Sequence, residues 1–228
     1  LGRNISKEKR NPFGERLLFE EFFYDLNGNP THQVSTVIAL QQQNRIVETR
    51  WEYDNMNRVI ALTEAASSLE QKITRYTYTP KGLRDQVYKP DGILLKNQYD
   101  PLGRLINLVS SDGSINYSFV YNRLHQLTSS SDQLTNLSTK RTYDPQGRIL
   151  SEKLATNLLF HNNYDTQGRR TLLTLPDQTA IAYHYDPLFL RRVERLNTSG
   201  AIQYTHHYLA FDLCGHLLQE KLIGSLGC

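Results

Sequence analysis

The side chains here that can do chemistry recur in a fixed pattern. Seven aspartates each follow an aromatic residue: Asp25, Asp54, Asp100, Asp144, Asp165, Asp186 and Asp212. In four of these places an arginine stands four residues on, as Asp54/Arg58, Asp100/Arg104, Asp144/Arg148 and Asp165/Arg169. Carboxylates beside cations can serve as acids and bases or simply pair as ions. Turn chemistry accounts for all seven, and no nucleophile, base and stabiliser converge. His206 and His207 are adjacent, so on a strand they point to opposite faces and make a poor metal pair. The sequence fixes no carboxylate partner for His184 or His216. Cys214 and Cys228 lack the second cysteine pair of a zinc site and read as unpaired thiols. No G-x-S-x-G, phosphate-binding glycine loop or H-E-x-x-H is present. The expectation is a non-enzyme with no cofactor and no metal.

Composition is that of an ordinary polar globular chain, with 39% hydrophobic and 21% charged residues. A net charge of +3 is too small to argue for nucleic acid or an anionic membrane. No stretch approaches the apolar length of a membrane-spanning helix, and no signal peptide is visible.

The aspartates sit in a repeated string. Tyr99-Asp100-Pro101-Leu102-Gly103-Arg104-Leu105 is nearly repeated from Tyr143 to Ile149, with Asp144, Gly147 and Arg148 in the same places. Tyr164 to Arg169, with Asp165 and Gly168, and Tyr53 to Val59 are clear copies. Looser copies begin at Tyr24, Tyr78, Tyr121, Tyr185 and Phe211. Asp-Pro-x-Gly is the composition of a type I turn, with Asp accepting an N–H two residues on and Gly fourth. A glycine in the left-handed region then closes a three-residue hairpin loop with a bulge. This places Asp100 against Arg104 and Tyr99 against Leu105. Asn57 replaces the glycine acceptably, whereas His125 and Phe189 fit poorly, so those two hairpins are expected to turn differently. The turn is the invariant part and the ion pair is optional.

Most copies lie about 21 residues apart. Turn signals such as Pro90-Asp91-Gly92 and Ser111-Asp112-Gly113 fall midway, so each unit reads as two strands of seven or eight residues. Nine units give about 18 strands, more than an open twisted sheet holds without curling or splitting. The longer first interval, with Gln41-Gln42-Gln43, reads as a lengthened hairpin. Thr63 to Glu70 reads as a helical turn or an extended loop, and Ser129 to Lys140 as a polar loop. Tyr208 and Phe211 compete for the last register. Tyr117, Phe119 and Tyr121 share one face, as do Trp51 and Tyr53, Tyr76 and Tyr78, and Tyr183 and Tyr185. Such rings form a cross-strand ladder or, if bare, a surface that stacks on sugars. Ile106 and Leu108 are expected opposite, with Arg104, leaving neither face a dry core.

Tyr-Asp-x-x-Gly-Arg-Leu at this spacing resembles the YD repeat, also called the RHS repeat, over residues 1–218. About nine units run from Tyr24 to Phe211. Leu1-Gly2-Arg3 reads as the tail of an earlier unit, and 219–228 as a short, truncated tail. The resemblance implies an all-β repeat protein: consecutive β-hairpins forming a curved, spiralling β-sheet, a segment of a shell. It implies further YD repeats of the same longer chain as partners, a C-terminal toxin or effector as cargo, and a secreted or cell-surface setting. The alternative function is a surface adhesion module for carbohydrate or protein. Neither implies nucleic acid or a membrane span in this segment.

Overall fold

The computed structural model describes residues 5–38 and 44–224. Leu1-Gly2-Arg3, Gln41-Gln42-Gln43 and Cys228, all singled out by sequence, lie outside them. The chain forms two compact units, Leu1–Asn116 and Tyr117–Cys228. Both are all-β, built from antiparallel hairpins taken in chain order. Among the described residues no helix is long and apolar enough to cross a membrane.

The first unit holds β1 (Ser6–Arg10), β2 (Arg16–Tyr24), β3 (Pro30–Val37), β4 (Arg45–Tyr53), β5 (Val59–Glu64), β6 (Lys72–Tyr78), β7 (Arg84–Tyr88), β8 (Leu94–Tyr99) and β9 (Leu105–Ser110). The second holds β10 (Asn116–Tyr121), β11 (Leu127–Asp132), β12 (Leu137–Tyr143), β13 (Ile149–Lys153), β14 (Leu159–Tyr164), β15 (Arg170–Thr174), β16 (Ala180–Tyr185), β17 (Leu190–Leu196), β18 (Ile202–Phe211) and β19 (Leu217–Gly224). Strand lengths spread more widely than expected, from five residues in β7 to ten in β18. The stretch from residue 219, read as a tail, continues β19 to Gly224.

Each tyrosine of the repeat ends a strand, and a single loop follows in eight of nine copies. In the copy at Asp100, the Asp100 N–H donates to the Arg104 carbonyl at 3.0 Å and the Gly103 N–H to the Asp100 carbonyl at 2.9 Å. Gly103 has φ +83°, a conformation that favours glycine. Tyr99 pairs with Leu105. His125 does not change the turn as expected: at φ 64° it takes the glycine's place, and the Asn122–Gln126 loop closes with the same bonds. Histidine, like asparagine, tolerates this region better than most residues. Phe189 does change it. There Asp186 N–H donates to Phe189 O and Tyr185 pairs with Leu190, so the loop is one residue shorter.

The opposite ends of the strands use the same loop more often than the sequence suggests. Asn157 at φ 65° and Gln178 at φ 66° close Leu154–Leu158 and Leu175–Thr179 without any glycine. Ser129–Lys140 is not a loop. Ser129 pairs with Lys140 and Asp132 with Leu137 across β11 and β12, because ladder bonds are made by backbone whatever the side chain. Residues 65–71 form an extended loop. The last register falls on Phe211, and an irregularity at Leu209 absorbs the extra residue.

Every repeated hairpin carries a second bulge, beyond the one its loop predicts, that has no signal in the string. Gln98 pairs with Asn107 but Tyr99 with Leu105, leaving Ile106 as a bulge. The same slip recurs at Ile60, Leu150 and Thr171. A bulge bends and twists its strand. It also breaks the alternation expected through Arg104, Ile106 and Leu108. Packing is thin: Ala61 and Ala182 are the buried apolar residues among those described, whereas Glu48, Ser110, Asp144, Asn162, Glu194 and Thr205 are buried polar ones.

The loop geometry sets an expected order of stabilities. Gly103→Val should cost about 1–3 kcal/mol, the strain of a side chain in the left-handed region. His125→Gly should be neutral or stabilising, because it relieves the same strain. Urea melts measure both, and equal losses would contradict the assigned loop.

Candidate functional site

The repeated aspartates are engaged by their own loops. Asp100 Oδ1 accepts the Leu102 N–H at 2.9 Å and the Arg104 N–H at 3.0 Å, while Oδ2 accepts Arg104 Nε at 2.6 Å. Asp54 repeats this with Met56 and Arg58. Asp144 does so with Gln146 and Arg148, and Asp165 with Gln167 and Arg169. The Arg104 backbone N–H, together with its guanidinium, holds the Asp100 carboxyl below the ordinary value despite some burial. At Asp144, 8% exposed, burial pushes upward, but the Arg148 N–H and guanidinium outweigh it and the net direction is down. These carboxylates are acceptors held in the charged form, an arrangement opposed to general-acid use.

Where arginine is missing, other side chains close the same gap. Asn29 Nδ2 donates to Asp25 Oδ2 at 2.8 Å, and Asn122 Nδ2 to Gln126 Oε1 at 2.6 Å. Arg191 reaches Asp186 from one residue further on. His216 Nδ1 lies 2.8 Å from Asp212 Oδ2.

The arginine has a second role that joins successive hairpins. Arg58 lies over the Tyr78 ring at 4.6 Å, Arg148 over Tyr164 at 4.5 Å and Arg169 over Tyr185 at 4.6 Å. Arg148 Nη1 also donates to the Asp165 carbonyl at 3.1 Å and Arg169 Nη1 to the Asp186 carbonyl at 2.7 Å. Five of the repeat tyrosines in turn tie themselves back. Tyr78 Oη donates to Val59 O at 2.6 Å, Tyr99 to Arg84 O at 2.7 Å, Tyr143 to Leu127 O at 2.6 Å and Tyr164 to Ile149 O at 2.9 Å. Tyr53 does the same to Pro30 O. The acceptor is always the residue six beyond the previous aromatic. Aspartate, arginine and the next tyrosine therefore form one clasp from hairpin to hairpin, in which the rings of the repeat meet guanidinium groups. Phe211 instead stacks on Phe189, with centroids 4.4 Å apart.

The sequence assigns no carboxylate to His184 or His216, but the structure gives each one. Cross-strand register brings His184 Nε2 to 2.8 Å from Glu194 Oε2, and the turn brings His216 to Asp212. Glu48 is buried against His32 and Arg50 in the same manner. The His184–Glu194 and His32–Glu48 pairs span strands, so spacing along the chain gave no hint of them, whereas His216 stands four residues after Asp212, in the arginine's place.

A family model of the teneurin YD-shell matches residues 23–222. The chain belongs to the teneurin YD-shell family. No curated protein matches it. Similar solved structures include TcdB2–TccC3, with 10% identity and a TM-score of 0.33 over 96% of this chain. The TcdB2–TccC3–Cdc42 structure gives 10%, 0.31 and 95%. The Photorhabdus luminescens Tc holotoxin pore gives 11%, 0.30 and 96%. This YD-shell chain spans 18% of the length of each of those chains, and its family assignment rests on the family match alone.

Two tests follow from the clasp geometry. Tyr164→Phe removes only the hydroxyl bond to Ile149 O and should lower stability by about 0.5–1.5 kcal/mol in urea melts; an unchanged midpoint would show the bond to be idle. The lowered carboxyls set the acid response. A carboxyl depressed by folding stabilises fully above its unfolded value, near 3.8 for aspartate, and that contribution fades as pH falls through the lower folded value. The urea midpoint should therefore drop steeply below about pH 4, and this drop should shrink in an Asp100→Asn/Asp144→Asn/Asp165→Asn variant.

Proposed function

We propose that this chain is a strip of wall in a YD-repeat shell and acts as structure rather than as an enzyme. The observation that supports this most is the clasp running from Asp54, Asp144 and Asp165 through their arginines to the next tyrosine. The most repeated polar groups of the chain bind neighbouring hairpins together, which is the work of a wall. Thin burial fits the same role, since a single layer of hairpins has no core of its own to fill. Its partners are further YD repeats of a longer chain that continue the sheet on either side. The enclosed space holds a toxin or effector polypeptide, and the assembly works outside the cell that makes it. The bulge after each arginine is the device that curls the sheet.

Limited proteolysis of the full-length gene product tests this reading. The polypeptide proposed as cargo should resist protease in the intact protein. It should become sensitive when Arg58, Arg148 and Arg169 are all replaced by alanine. Equal sensitivity before and after the replacement would contradict enclosure. Retention of the intact protein on a glycan array, abolished by Tyr117→Ala with the fold unchanged, would favour the adhesion reading instead.

A further inference from the structure

The last repeated hairpin departs from the others in a way that the wall does not require. Asp212 holds the same loop, with Oδ1 accepting the Cys214 N–H at 2.9 Å and the His216 N–H at 2.8 Å. The two side chains that follow are changed in kind. In the four arginine-bearing copies the loop position of Cys214 carries Met56, Leu102, Gln146 or Gln167, and the position of His216 carries the arginine. Here a thiol and an imidazole replace them, and the cation that would repel a metal ion is gone. One ligand atom each from Asp212, Cys214 and His216 lie within 4.8 Å of one another. Zinc bonds of about 2.0–2.3 Å draw such atoms together with small side-chain rotations.

We propose that the tip of the β18–β19 hairpin is a transition-metal site, formed by the Asp212 carboxylate, the Cys214 thiolate and the His216 imidazole. The mixed set of sulfur, nitrogen and oxygen suits Zn²⁺ over Mg²⁺ or Ca²⁺, which take oxygen. The metal displaces the hydrogen bond between His216 Nδ1 and Asp212 Oδ2 and takes both groups as ligands. Asp212 Oδ1 stays bound to its two backbone N–H groups, so the carboxylate is fixed before the metal arrives. Binding converts the Cys214 thiol to thiolate and releases its proton to solvent. Cys214 and the His216 side chain are exposed, which leaves the fourth position open to water or to a donor from another molecule. The base of the hairpin is held by Phe211 stacked on Phe189 and capped by Arg191 at 5.3 Å, so the loop presents its donors on a fixed stem.

The test uses the untagged 228-residue chain with Cys228→Ser, so that Cys214 is the one thiol. Titration with Co²⁺ should give a thiolate-to-metal charge-transfer band saturating at one equivalent, and Zn²⁺ should displace it. Cys214→Ser should abolish the band. His216→Asn and Asp212→Asn should each weaken Zn²⁺ binding by at least about ten-fold, since even outer partners of metal ligands cost that much. Urea midpoints without metal check that His216→Asn remains folded, and Cys214→Ser retains the Asp212–His216 pair as a second folded control. A missing band would overturn the proposal. So would a band whose affinity is indifferent to His216→Asn, which marks a lone thiol, or Zn²⁺ binding that follows His206 and His207 instead.

Discussion

A carboxylate that closes its own loop is the interaction on which this molecule depends. Asp100, Asp54, Asp144 and Asp165 each use one oxygen to hold two backbone N–H groups and the other to hold an arginine. The first oxygen sets the turn, and the turn sets the register that leaves each tyrosine at a strand end. The second oxygen aims the guanidinium. An aimed guanidinium can reach the next tyrosine, and that tyrosine can reach a carbonyl at the start of the preceding strand. Local turn chemistry is thereby converted into contact between hairpins. This matters more here than in a two-layered domain, because few apolar side chains are buried to hold neighbours together.

Much of the fold was legible because the repeat is a turn, and a turn is local. Asp, Gly and their spacing specify the loop with no knowledge of what lies beyond it. The all-β class and the Asp100/Arg104 and Tyr99/Leu105 pairings follow from that alone. What was not legible is what depends on more than one strand. The bulge at Ile106 depends on how β8 and β9 accommodate each other, and Ile106 carries no residue-type mark of it. The Tyr164 hydroxyl meets Ile149 O only because β14 pairs with β13, the second strand of the preceding hairpin. Buried Glu194 meets His184 through a diagonal register. His125, Asn157 and Gln178 show a different gap: the left-handed position is set by the loop, and a tolerant side chain can occupy it without glycine.

The functional reading moves with the same distinction. Read singly, the aspartates, arginines and tyrosines resemble the furniture of a binding or catalytic face. Placed in the structure, they face one another. At the last repeated hairpin the loop is kept, and its second and fourth positions after the aspartate carry a thiol and an imidazole. A repeat that is rigid at its carboxylate and free at two other positions can take on new chemistry without changing its backbone.

The central claim is that arginine of one hairpin and tyrosine of the next act as a unit. A double-mutant cycle between Arg148 and Tyr164, each replaced by alanine singly and together in the full chain, measures that directly by urea denaturation. The account predicts that the double variant loses less than the sum of the two single losses, by more than the roughly 0.3–0.5 kcal/mol scatter of independent sites. Losses that simply add would show that the ring and the guanidinium are neighbours without being partners, and would contradict the clasp.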